Sequence, residues 1–379
     1  MKKYFLVSFF IIFSSHFFPQ DVKFDSLVQK GIREIYGMKF DQADRTFKDL
    51  IADYPRHPAG KFFLAMIDWQ KILTDLDNEE HDDLFFEKLE DVIFQCDQLL
   101  DEDKNNFDAW FFKGGSIGFR GRLRATRESW IKAADDGRTA MPIVYEAYKI
   151  DSTKADIQLG FGIYNYYAAV IPDKYPFVKP VMIFFPKGDK AKGLEQLKYV
   201  AMNGKYAKYE SRYFLLTLNY QFENNMYEAE RWAKELLNDF PDNPIFQRYL
   251  GRINVKLGRL DIAQNIFTDI YRKCEAGYTG YTKTSKREAA YYRGLYYRNY
   301  KSDLDSARIH FLECEKLSRE IDKEKESGFL VNAVLYLGMI ADKKNERSKA
   351  EAYYKQALDM KEFGSSHKNA KKYLDKPYQ

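Results

Sequence analysis

Apolar residues recur along this chain three and four positions apart, the rhythm of helices with one buried face. A finer pattern repeats on top of it. In Leu250–Ile270, Gly251 is followed twelve residues later by Ala263, and four after that by Phe267. Gly31, Ala43 and Phe47 keep the same spacing, and so do Gly338, Ala350 and Tyr354. Each triplet reads as two helices joined by a turn. The glycine has no Cβ to hold the second helix away, the alanine faces it, and the aromatic one turn on fills the space below. Gly294 to Ala307 is thirteen residues, which predicts one extra residue in that turn. Prolines mark the stops, at Asp53-Tyr54-Pro55 and Asp239-Phe240-Pro241, because proline cannot continue a helix. Pro58 and Pro244, three residues further on, suit the first turn of the next helix, with Asn243 as its N-cap. The predicted class is all-α, an α-solenoid of antiparallel helix pairs in which each unit packs only on its neighbours.

The pattern is most regular over 206–360, and a capping helix is expected over 366–375. It is irregular over about 75–205, where an acidic linker, Asp75–Asp83, lengthens one turn. Ile171–Lys187 carries four prolines, which forbid a continuous helix. It also carries Phe177, Val178, Val181, Met182, Ile183, Phe184 and Phe185, too apolar for a free loop. Two readings stand: a connector packed into the solenoid, or a surface at 177–185 that touches a membrane or a partner. Residues 1–20 begin with Lys2-Lys3, continue as an apolar run from Tyr4 to Phe13 and end after Ser14-Ser15 in Phe17, Phe18 and Pro19. That reads as a signal peptide with an apolar run too short to span a bilayer. The expectation is an exported protein, periplasmic or secreted, with 21–379 forming one solenoid.

The sets Leu250-Gly251-Gly258-Ala263-Phe267, Leu337-Gly338-Ala350-Tyr354-Ala357 and Gly31-Ala43-Phe47-Pro55 resemble the tetratricopeptide repeat family, in an exported bacterial form. Thr217 and Gly251, equivalent in successive units, are thirty-four residues apart, that family's period. The resemblance covers nearly all of the chain after the first twenty residues and is loosest from Glu87 to Lys205. It implies a right-handed superhelix in which the first helix of each pair lines a concave groove. Such a groove grips a peptide or helix of a partner protein, and the resemblance implies no reaction and no cofactor.

Composition narrows the chemistry. The formal net charge is +4, or +2 once Lys2 and Lys3 are subtracted, too small to argue for a basic face, and no nucleic-acid partner is expected. Cys96, Cys274 and Cys314 are few, odd in number and far apart, so no disulfide framework or zinc spacing is read from them. His16, His57, His81, His310 and His367 are scattered, and no metal site is expected. Gly114, Gly115 and Gly118, like Gly160 and Gly162, lie inside helical patterns without the preceding strand that a phosphate loop needs. No nucleophile elbow appears either, and the resemblance implies a non-catalytic scaffold for protein–protein interaction, with envelope assembly as one setting for it. Projected onto the groove, the repeat register places Phe214, Leu218 and Gln221, then Arg248, Arg252 and Lys256 along one wall. Next come Tyr291, Leu295, Arg298 and Asn299, then Asn332, Leu335, Met339 and Lys343. Arginines among aromatics suit an acidic or C-terminal peptide. The opposing reading is that these arginines pair with Glu or Asp on neighbouring helices. Two alternatives for the whole chain are a peripheral membrane protein using 171–187, and a small-ligand binder or enzyme with a pocket beneath that segment.

Overall fold

The structure, a computed structural model, describes residues 19–179, 186–323 and 326–379. The first pair is α1 (Pro19–Tyr36) with α2 (Phe40–Asp53), followed by α3 (Ala59–Thr74) with α4 (Asp82–Glu102) and α5 (Phe107–Thr126) with α6 (Trp130–Ile150). Then come α7 (Gln158–Lys174) with α8 (Lys190–Asn203) and α9 (Lys208–Gln221) with α10 (Met226–Asp239). The last pairs are α11 (Pro244–Lys256) with α12 (Leu260–Glu275), α13 (Lys283–Tyr296) with α14 (Leu304–Ile321), and α15 (Gly328–Lys343) with α16 (Arg347–Asp359). A final helix, α17 (Ser366–Asp375), covers α16. No strand occurs among the described residues, and the fold is the all-α solenoid of antiparallel helix pairs.

The glycine pattern acts through packing. A Cβ on Gly31, Gly251 or Gly338 would lie 2.3, 2.6 and 2.6 Å from the rings of Phe47, Phe267 and Tyr354. All three rings are fully buried, so none has room to retreat. A fourth unit, Gly294 against Phe311, has the same contact at 2.7 Å. Its extra residue is absorbed by a π turn, Tyr297–Lys301, which ends at Ser302 in the left-handed region (φ 55°). Five other pairs also turn on one left-handed residue: Met38, Glu128, Asn224, Gly258 and Asn345. The α3–α4 and α7–α8 connections are longer, and the second includes 180–185, outside the described residues. Residues 1–18, on which most of the signal-peptide expectation falls, lie outside them too. Helix α5 continues to Thr126, and α6 runs undivided through Pro142. Pro142 is on the exposed face, where the loss of one intrahelical donor is best tolerated.

The solenoid also closes on itself. Asn243, at the start of α11, donates to the Tyr36 carbonyl at the end of α1 (2.9 Å). Arg248 donates to the Thr74 carbonyl at the end of α3 (3.1 Å), and Thr284 of α13 donates to Asp75 (2.9 Å). Arg287 lies 3.4 Å from Asp77. Gly280, left-handed (φ 80°), brings the α12–α13 loop so close that a Cβ there would sit 2.4 Å from Met38. Nearly all of α3 is consequently buried, and one apolar core runs from Phe24 to Ile253.

Candidate partner-binding face

The closure decides which predicted groove residues face solvent. Phe214 and Leu218 are 3% and 0% exposed, because the space in front of α9 is filled by the chain itself. Arg122 of α5 occupies it, with its guanidinium 4.7 Å from the Trp69 ring centre and 4.2 Å from that of Phe214. Arg122 is hydrogen-bonded to Glu210, which also accepts from the Tyr36 hydroxyl (2.9 Å). A buried carboxylate is tolerable only when paired, and here a cation and a phenol both serve it. Burial, then the Glu210 charge, holds the Tyr36 hydroxyl well above its ordinary pKa. Phe214 and Leu218 are therefore core residues and not part of an open groove. Gln221 donates to the Tyr249 hydroxyl (3.2 Å).

The basic wall is likewise turned inward. Glu288 of α13 is fully buried and receives Arg248 Nε at 2.7 Å and Arg252 Nη2 at 2.5 Å. Burial would raise the Glu288 pKa, but the two arginines outweigh it and pull it down to about 2. The two predicted peptide-binding arginines thus neutralise one buried carboxylate of their own chain. The register could not foresee that α13 brings Glu288 between them. Lys256 lies 3.8 Å above the Tyr220 ring and points to its carbonyl (3.4 Å), and burial, then Arg252, lowers its pKa.

The last two pairs are different. Arg298, in the π turn, donates to Asn299 (2.7 Å), to the Met339 sulfur (3.7 Å) and to the Tyr378 hydroxyl (3.0 Å). Its guanidinium also lies 4.8 Å from the Tyr336 ring centre. Lys343, at the end of α15, sits 5.6 Å from the Tyr378 ring. Among the described residues neither cation has a carboxylate partner. Asn299 is exposed, whereas Met339 is buried at the floor. Tyr291 packs its ring on Phe329 (5.2 Å) and Tyr336 (6.2 Å), and Leu295 lies partly buried beside it. Asn332 donates back to the Gly328 carbonyl of its own helix (2.7 Å). Tyr336, Asp342 and Tyr378 were not anticipated. Tyr378 follows the capping helix in a short polar stretch with no periodicity, so only the pair Pro377-Tyr378 could have drawn attention to it.

Other candidate chemistry is structural. Asp82, in the acidic run before α4, is buried and receives Arg127 through Nε (2.5 Å) and Nη2 (2.9 Å). Burial pushes the thiols of Cys96, Cys274 and Cys314 up to about 12. Among the described residues no three His, Cys, Asp or Glu are placed to hold a metal, and no helix is long and apolar enough to cross a membrane. A shallow depression between Lys349, Ala352, Tyr353 and Gln356 is too open to enclose a ligand. Of the apolar connector, Phe177 is exposed and touches Trp130 and Tyr175, while 180–185 lie outside the described residues.

No family model matches the chain, and no curated relative does. Solved structures do resemble it in fold. A human IFIT1 dimer with PPP-AAAA aligns over 85% of this chain and 69% of its own, at 13% identity and a TM-score of 0.40. A tetratricopeptide repeat protein from Parabacteroides merdae aligns over 82% of this chain and 99% of its own, at 12% identity and a TM-score of 0.34. IFIT1 is also solved with m7Gppp-AAAA. The expectation of no nucleic-acid partner is corrected on this point. IFIT1, among the structures this chain resembles, is solved with such a ligand. What the chain's own Gly–aromatic contacts establish is the architecture: an all-α helical-repeat solenoid of antiparallel helix pairs.

Proposed function

We propose that this chain is a non-catalytic protein-interaction scaffold whose open binding face lies on α13 and α15, around Arg298, Tyr336 and Lys343. The observation that carries the proposal is the contrast in how its cations are satisfied. Arg122, Arg248 and Arg252 are consumed by buried carboxylates of the same chain, whereas Arg298 and Lys343 meet only neutral groups and rings among the described residues. Unpaired arginine beside half-buried tyrosines is the composition of a binding hot spot. The test is co-purification from the native host with Arg298→Glu and Lys343→Glu, with identification of what is captured. Loss of a partner from both variants, with the helical signal unchanged, supports the reading, and unchanged capture overturns it. Export belongs to the same proposal, supported by Lys2-Lys3 followed by the apolar run Tyr4–Phe13. Mass analysis of the secreted protein checks it, and a protein found only inside the cell, still starting at Met1, would count against it.

A further inference from the structure

The binding face is not empty. After α17 the backbone becomes extended at Lys376 (φ −136°, ψ 121°), and residues 376–379 run back toward α13 and α15. Lys376, Pro377 and Gln379 are exposed, and only Tyr378 is turned in. Its contacts are those of a docked ligand side chain. The backbone N–H of Tyr378 donates to Asp342 (2.8 Å), the hydroxyl accepts from Arg298 (3.0 Å), and the ring packs edge-on against Tyr373 (5.0 Å). Lys343 and the Arg298 guanidinium lie 5.6 and 5.5 Å from the ring centre.

The receiving groups are held independently of the tail. Asp342 also accepts from the Tyr354 hydroxyl (2.9 Å) and from Arg347 (3.1 Å), both on α16. Arg298 is positioned by the Met339 sulfur and by Tyr336. One acceptor for a backbone N–H, one donor for a phenol oxygen and a floor of sulfur and rings make a recess for a single residue type.

Resting on the reading of this face as the scaffold's binding site, we infer that residues 376–379 are an intramolecular occupant of it, and that its partner is an extended polypeptide segment presenting a tyrosine. The partner's tyrosine takes the place of Tyr378, with its N–H on Asp342 and its hydroxyl under Arg298. The tail competes as a tethered ligand, at an effective concentration on the order of millimolar. A free segment therefore binds weakly until the tail is displaced.

The probe is a synthetic peptide copying residues 372–379, titrated into the full chain and followed by the Met339 methyl signal. Tyr378→Pro removes the N–H and the ring together and vacates the recess, while Tyr378→Phe keeps it filled. The peptide should shift the Met339 signal of Tyr378→Pro at concentrations roughly tenfold or more below those needed for wild type or Tyr378→Phe. Adding Arg298→Ala to Tyr378→Pro should abolish the shift. Equal titration of wild type and Tyr378→Pro overturns the inference, and so does the absence of any shift in Tyr378→Pro up to about 10 mM peptide. This titration needs no natural partner. Its failure is thus separate from a failure of the scaffold reading, which shows only in capture by the Arg298→Glu and Lys343→Glu proteins.

Discussion

The first six helix pairs, closed by the start of α13, and the remainder of the last two share one repeat but use their concave sides in opposite ways. In the first six, the side chains that would line a groove face one another across it: Arg122 meets Glu210, Asn243 meets Tyr36 and Arg248 meets Thr74. In the last two, Arg298 and Lys343 meet no carboxylate among the described residues, and Tyr378 lies against both. The same small residues at the same spacing build both halves. Whether a solenoid has a groove therefore depends on how far its curvature brings distant units together, a property no single repeat contains.

The comparison can be broken or sharpened in order of expected effect. Arg122→Ala leaves Glu210 buried without its cation and should cost about 3–5 kcal/mol, read as a lower urea midpoint. A stability unchanged within error would mean that the closure is not a desolvated pair. Acid acts on the second closure. Glu288 titrates near 4.5 when unfolded and at about 2 when folded, so its contribution is complete above the unfolded value and is lost as pH falls from 4.5 towards 2. The loss is on the order of 3 kcal/mol at about 1.4 kcal/mol per unit. Urea midpoints between pH 6 and pH 2 should fall less steeply for Glu288→Gln than for wild type. Gly251→Ala places a Cβ against Phe267 and should cost about 1–3 kcal/mol by overpacking, in whichever half such a glycine lies. Thermal melts of Gly251→Ala and Gly338→Ala would show whether the two halves share that scaffold term. Smallest is Arg298→Ala, expected within about 0.5 kcal/mol of wild type in the same melts, because the residue lies outside the buried networks. A large loss there would make the open face a structural element like the closed one.

Much of the scaffold was legible because its signals are local. Gly251, Ala263 and Phe267 specify one contact between two adjacent helices, and the thirteen residues from Gly294 to Ala307 announce the π turn at Tyr297–Lys301. The candidate site was less legible because it depends on residues far apart in sequence. Arg252 looked available until α13 brought Glu288, thirty-six positions on, against it. Phe214 and Leu218 occupied the predicted wall but became core once α3 and Arg122 filled the space. Arg298 and Met339 touch, yet their neighbour Tyr378 is eighty positions from Arg298 and carries no periodic signal. Repeat register identifies the helix face a residue belongs to, and it is silent on what that face meets.

The contact of Arg248 with the Thr74 carbonyl bears on how the chain acquires its structure. In a simple solenoid each unit can fold as soon as its neighbour exists, with short loops and fast local closure. Here the end of α3 is completed by a residue 174 positions later, and the end of α1 by one 207 positions later. During synthesis the ends of α1 and α3 lack these partners until α11 has emerged. Ring closure of this kind replaces a row of independent steps with one late, long-range step, which exposes the unfinished chain to aggregation for longer.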